Sequence, residues 1–158
     1  MDVGEGQRLR RALQRALISG SAASVASTLV LSYRSTRDNA APAGAVNAPS
    51  QWVWGVAEGY ARAPTLRHTA VGFAVHHLMS ILWAVVYERA FEARTTVAQD
   101  LLGAAATATA AYLVDYHVAP RRLRPGFRKH LNPGSLFVAY ASFAAGLAAA
   151  AAFDRRRR

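Results

Sequence analysis

The stretch Ser135–Phe153, SLFVAYASFAAGLAAAAAF, decides the fold. It passes without a single Lys, Arg, His, Asp or Glu. A soluble helix of this length shows a polar stripe at helical spacing, because one face meets water. This stretch shows none. About 20 mostly apolar residues are needed to cross the roughly 30 Å hydrocarbon core of a bilayer. The segment therefore reads as a transmembrane helix.

Three further stretches read the same way: Ala16–Tyr33, Thr69–Tyr87 and Leu101–Ala119. Each interior lacks Lys, Arg and Glu, and each has arginines near its ends. The first is the weakest. Arg8, Arg10, Arg11 and Arg15 ahead of a short Ser/Ala-rich apolar run also describe a secretory leader, with a small-residue cleavage site near Ala26. The apolar run continues through Val30 and Leu31, which favours a retained span.

The composition agrees. The 158 residues suit one domain. The hydrophobic fraction is 53%, too high for a disordered basic chain, and the charged fraction is 18%, below the roughly 25% of soluble domains. The absence of cysteine excludes a disulfide scaffold and thiolate metal sites. The net charge of +10 comes from arginines at span borders rather than on one contiguous face, which argues against nucleic acid as a partner.

Residues 34–67 form the longest connection. Asn39–Ser50, rich in Ala, Pro, Gly and Asn, reads as irregular loop. Gln51–Ala63 is too short and polar to span, but carries Trp52, Trp54 and Tyr60. Trp and Tyr favour the headgroup level, so this piece reads as a short interfacial helix, with an exposed loop as the alternative. Residues 120–134 form a basic loop with Arg121, Arg122, Arg124, Arg128 and Lys129 and no acid, a set suited to anionic lipid headgroups or an acidic partner.

Orientation is nearly balanced. The N-terminus, the link with Arg89 and Arg94, and Arg155–Arg158 carry ten cations; the other two connections carry nine. The positive-inside rule narrowly places both termini in the cytoplasm. Small residues recur at four-residue spacing: Gly20, Ser24 and Thr28; Gly103, Thr107 and Ala111; Ser142, Gly146 and Ala150. Such faces admit a neighbouring backbone, within the bundle or in an oligomer.

Ionisable residues inside spans carry the functional signal, because a titratable group at membrane depth is costly and needs a partner. His76 and His77 lie in the second span and Asp115 in the third. The short link between these spans makes them antiparallel neighbours. His77 is eleven residues before Glu88, roughly 16 Å along the axis, and the same depth in the third span falls near Tyr112. His76, His77, Ser80, Tyr112, Asp115, Tyr116 and Tyr140 are thus expected to form one polar cluster around a His–Asp pair. Rotation is not fixed by depth, so either histidine could face Asp115.

Three readings of the cluster stand side by side. It is a structural hydrogen-bond lock, a proton or ion relay, or a metal or haem site. The metal reading would draw on His68, His77, His117 and His130, but no metal-binding spacing supports it, and no cofactor is expected. Glu88, Glu92 and Asp100, with Arg89 and Arg94, read as surface ion pairs at the opposite mouth. Hydrolase and nucleotide-binding motifs are absent from the sequence.

The stretches HHLMSILWAVVYE (76–88) and DYHVAPRRLRPGF (115–127) resemble those of small bacterial inner-membrane proteins with four transmembrane helices. The likeness covers the last three spans and implies location, not activity. The expectation is an all-α, integral membrane four-helix bundle formed by residues 1–158 as one domain. Its expected role is structural or accessory, with lipid and other membrane subunits or itself as partners. A proton-coupled transporter and a haem- or metal-binding subunit are the alternatives.

Overall fold

A computed structural model describes residues 3–156; Arg157 and Arg158, counted above in the charge balance, lie outside them. The protein is 84% helical, and the described residues contain no strand. Four helices are long and apolar enough to cross a membrane: α1 (Val3–Asn39), α2 (Leu66–Ala90), α3 (Val97–Val118) and α4 (Pro133–Arg156). They form an antiparallel bundle in which both the start of α1 and the end of α4 reach the same end. There Arg15 meets Asp154 at 3.6 Å. This is called the terminal end below, and the opposite one the loop end.

α1 packs most extensively, against α4 and α2; α3 lies chiefly on α4, and of the adjacent pairs α2 and α3 meet least. Close approach depends on the small residues singled out above. A Cβ at Gly146 would come within 2.5 Å of Ala23 Cα, and one at Gly20 within 2.7 Å of Ile81 Cα. Gly20, Ser24, Gly103, Thr107, Ala111 and Gly146 are all buried inside the bundle. Many large apolar side chains face the opposite way. Leu29, Leu78, Leu102 and Phe137 are 66–75% exposed. An exterior rich in Leu around an interior rich in Ala, Gly and Ser, with Leu31, Tyr87, Phe143 and Leu147 among them, inverts much of the soluble pattern. It fits a solvent of lipid tails, where packing rather than hydrophobic burial joins helices.

Local signals set the helix ends. Thr96 and Gln99 make a reciprocal capping box at the start of α3, each side chain accepting from the other's backbone N–H. Asn132 Oδ1 accepts from Ser135 N at 2.8 Å as Pro133 opens α4. Both α2 and α3 contain a wide π turn at the loop end, Leu66–Ala70 and Val114–Val118.

The first connection departs from its sequence reading. Asn39–Ser50 is not irregular: Gly44–Asn47 and Ala48–Ser50 are helical turns, and the run from Ala43 to Gln51 is buried. Its small side chains let it enter the end of the bundle. A Cβ at Gly72 of α2 would lie 2.2 Å from the Val46 carbonyl oxygen. Asn47 secures the segment, donating to the carbonyls of Ala61 and Ala63 and accepting from Thr69 Oγ1 at 2.8 Å. The expected interfacial helix is also broken. Gln51–Trp54 and Val56–Tyr60 are separate turns, split at Gly55, whose φ of +105° suits only glycine.

Candidate functional site

Two polar assemblies sit in the bundle, one near each end.

At the loop end, all four helices and both loops enclose a cavity of about 50 Å³. Ser27 of α1, His76 and Ser80 of α2, Asp115 of α3 and Tyr140 of α4 line it, roofed by Pro49, Trp52 and Phe127. His76 Nε2 lies 2.9 Å from Ser27 Oγ, and that hydroxyl lies 2.7 Å from the Ala23 carbonyl. One proton order satisfies both: imidazole donates to serine, and serine donates to the backbone. Tyr140 donates to Asp115 Oδ2 at 2.5 Å. Ser80 donates to the His76 carbonyl at 2.8 Å.

The expected His–Asp pair is therefore replaced by two neighbouring pairs, His76–Ser27 and Asp115–Tyr140, on the walls of one cavity. The reason is packing. α2 and α3 meet least of the neighbouring helices, so α1 and α4 supply the partners. His77 does not enter: its ring stacks on Phe73 at 5.6 Å, one turn before it on α2. Tyr112, Tyr116 and Tyr140 do gather, with ring centroids 5.3–6.4 Å apart. The cavity has room for a few waters, since about 10–15 Å³ of such volume holds one.

At the terminal end lies an assembly read wrongly from the sequence. Glu88 and Asp100 are not surface residues; they are 3% and 2% exposed. Arg94 joins them, at 2.8 Å to Glu88 Oε2 and 3.1 Å to Asp100 Oδ1. Its guanidinium also donates to the Tyr87 carbonyl and lies 4.0 Å from the Tyr87 ring centroid. Arg155 of α4 pairs with the other oxygen of Asp100. Ser19 of α1 reaches Glu88 Oε1 at 3.0 Å. Every long helix and the α2–α3 link thus contribute to one charge cluster. Glu92, by contrast, stays exposed on the surface. Each charge in the cluster has an opposite partner, which is what makes burial tolerable. The signal available in the sequence was the Glu88–Arg94–Asp100 spacing across a link too short to separate them.

The basic loop is folded in rather than splayed. Arg122 donates to the carbonyls of Trp52 and Val53, and Arg124 to that of Ala119. Lys129 donates to Gln51 Oε1 and the Val56 carbonyl, with its ammonium 4.3 Å from the Tyr60 ring. Burial pushes the Lys129 ammonium below its ordinary value. Arg128 donates to Tyr112 Oη at 2.7 Å, and Arg121 is exposed. Of the five cations expected to grip lipid, Arg122 and Lys129 hold the two loops together.

The candidate metal histidines do not converge. His68 Nε2 lies 2.7 Å from Glu58, and this hydrogen bond, aided by Arg67, holds the Glu58 carboxyl below its ordinary range. His117 sits edge-on to Tyr112. His130 is buried, with Asn39 donating to Nδ1 and Nε2 donating to the Gly59 carbonyl, both at 2.9 Å. Burial pushes His130 below its ordinary value, with Arg62 and Lys129 adding to the effect. Among the described residues, no group of three or more His, Cys, Asp or Glu is placed to hold a metal ion.

Compared with protein families, curated proteins and solved structures, the chain matches none.

Proposed function

We propose that this chain is a non-catalytic membrane protein of structural or accessory type, resident in a bacterial inner membrane with both termini cytoplasmic. One observation carries the reading. Four ionisable groups inside the bundle are bonded to another segment, Glu88 and Asp100 to Arg94 of the link, Asp100 also to Arg155, His76 to Ser27 and Asp115 to Tyr140, while His77 stacks on Phe73. Polar contacts of this kind fix helix register in lipid. The fit of the buried loop segment against Gly72 supports the same reading, since it packs the first connection into the end of the bundle.

A second reading has its own observation. His76 and Asp115 line one cavity large enough for water, an arrangement that suits a proton relay. Liposomes holding the purified chain and an internal pH dye separate the two. The accessory reading expects no proton flux beyond that of empty liposomes, and an Asp115→Asn variant altered only in thermal unfolding. A flux that Asp115→Asn abolishes, with folding intact, would replace it by the relay. A stoichiometric visible absorption band removed by His77→Ala would replace both by a cofactor-binding role.

A further inference from the structure

α3 and α4 part on their outward side and leave a groove of about 1070 Å³. Its walls are strongly exposed apolar side chains, Leu102 at 71% and Phe137 at 75%, and Ala108 and Ala144 lie between them. From Pro133 at the loop end to Ala145 it follows twelve residues of α4, about 18 Å at 1.5 Å per residue. That is about half of a 30 Å hydrocarbon core, the depth of one leaflet.

The two ends of the groove differ. Towards the terminal end its lining is Leu101, Leu102, Ala144 and Ala145, with no charged residue. Towards the loop end stand Tyr112, Tyr140 and Arg128. Arg128 is held by its bond to Tyr112 Oη and by stacking 4.3 Å over the Tyr116 ring. Among the described residues, no ion pair involves Arg128, so its charge is not neutralised by a carboxylate. An apolar channel one leaflet deep with a fixed cation at its mouth has the layout of an anionic amphiphile.

We propose that this groove binds an anionic glycerophospholipid from the leaflet at the loop end. Its phosphate sits on Arg128 and one acyl chain lies between α3 and α4 towards Ala145. Arg128 suits the phosphate because its planar fork is pre-oriented by the two tyrosines. A second copy of the chain fits less well. The loop end carries nine Lys and Arg (residues 34, 37, 62, 67, 121, 122, 124, 128 and 129) against Asp38 and Glu58. Two copies side by side in the same orientation would set these ends against each other.

The test is native mass spectrometry of the delipidated protein in mild detergent, offered equimolar phosphatidylglycerol and phosphatidylcholine with identical chains. One retained phosphatidylglycerol is expected, favoured about tenfold. Both lipids bring a phosphate, but the choline cation of phosphatidylcholine is repelled by Arg128, whereas phosphatidylglycerol has no such cation. Arg128→Gln should bring the two lipids to parity. Ala145→Trp, which fills the groove at an exposed position, should remove the retained lipid while Arg128 remains. Circular dichroism of both variants confirms that the helices persist. Equal retention of the two lipids by the unaltered chain overturns the proposal. So does selectivity that survives both substitutions, or a lipid-free dimer that Ala145→Trp dissociates.

Discussion

Replacing Arg94 by methionine should cost this protein about 3 kcal/mol, the lower end of the range for orphaning a buried charge. The magnitude follows from what each carboxylate keeps. Asp100 retains Arg155 on its second oxygen, so it stays paired. Glu88, 3% exposed, retains only the Ser19 hydroxyl. Methionine matches the arginine stem in length, so the loss is of charge and hydrogen bonds rather than of volume. For a chain of this size each kcal/mol moves the midpoint by about 2–4 °C, which gives a fall of about 6–12 °C. The assay is thermal unfolding in detergent followed by tryptophan fluorescence, with exposed Arg89→Met as the control. Adding Glu88→Gln to Arg94→Met should restore part of the loss, because it removes the stranded charge. An Arg94→Met midpoint within about 1 °C of the control would refute the reasoning, since surface substitutions cost no more than about 0.5 kcal/mol. So would a double variant no better than the single one.

Three other outcomes are expected. Gly146→Ala should destabilise by about 1–3 kcal/mol, because its methyl meets Ala23 backbone at 2.5 Å and must push α1 from α4; the same unfolding assay reads it. His130 is neutral in the fold and lies below its ordinary value, so the unfolded chain binds the extra proton first. Stability should therefore fall as pH drops from about 6.5 through the folded value, and His130→Gln should flatten that slope in a pH series of melting curves. Glu58 behaves as a depressed carboxylate, so its contribution is present above its ordinary range and lost in more acid solution. Glu58→Gln should remove that acid limb, read as a loss of pH dependence in the same series below pH about 4.5.

The spans were legible because lipid imposes a simple rule on composition. Ser135–Phe153 needs no partner to be recognised, and the small faces at Gly20, Gly103 and Gly146 pointed to the interior that the structure shows. The structure places Tyr140 of α4 at the level of Tyr112, Asp115 and Tyr116 of α3. Rotation and neighbour order were not legible. Chain order suggested α2 beside α3, whereas α1 and α4 supply the partners of His76 and Asp115. Glu88 and Asp100 were misread for a related reason. A helix end next to a short link looks wet in sequence, yet here Arg94 folds back over Tyr87 and Arg155 arrives from α4 to cover it. The Asn39–Ser50 segment looked like a loop by composition, but small residues serve equally well to enter a crowded helix end.

The central claim is that the exposed apolar surface of these four helices lies in lipid. The absence of cysteine allows single-site labelling without background. Spin labels placed by Leu29→Cys, Leu78→Cys, Leu102→Cys and Phe137→Cys, one per helix, should respond in bilayers to oxygen and not to a water-soluble nickel chelate. A label at exposed Glu92→Cys in the link should show the reverse. Nickel accessibility at Leu78 or Leu102 equal to that at position 92 would contradict the account.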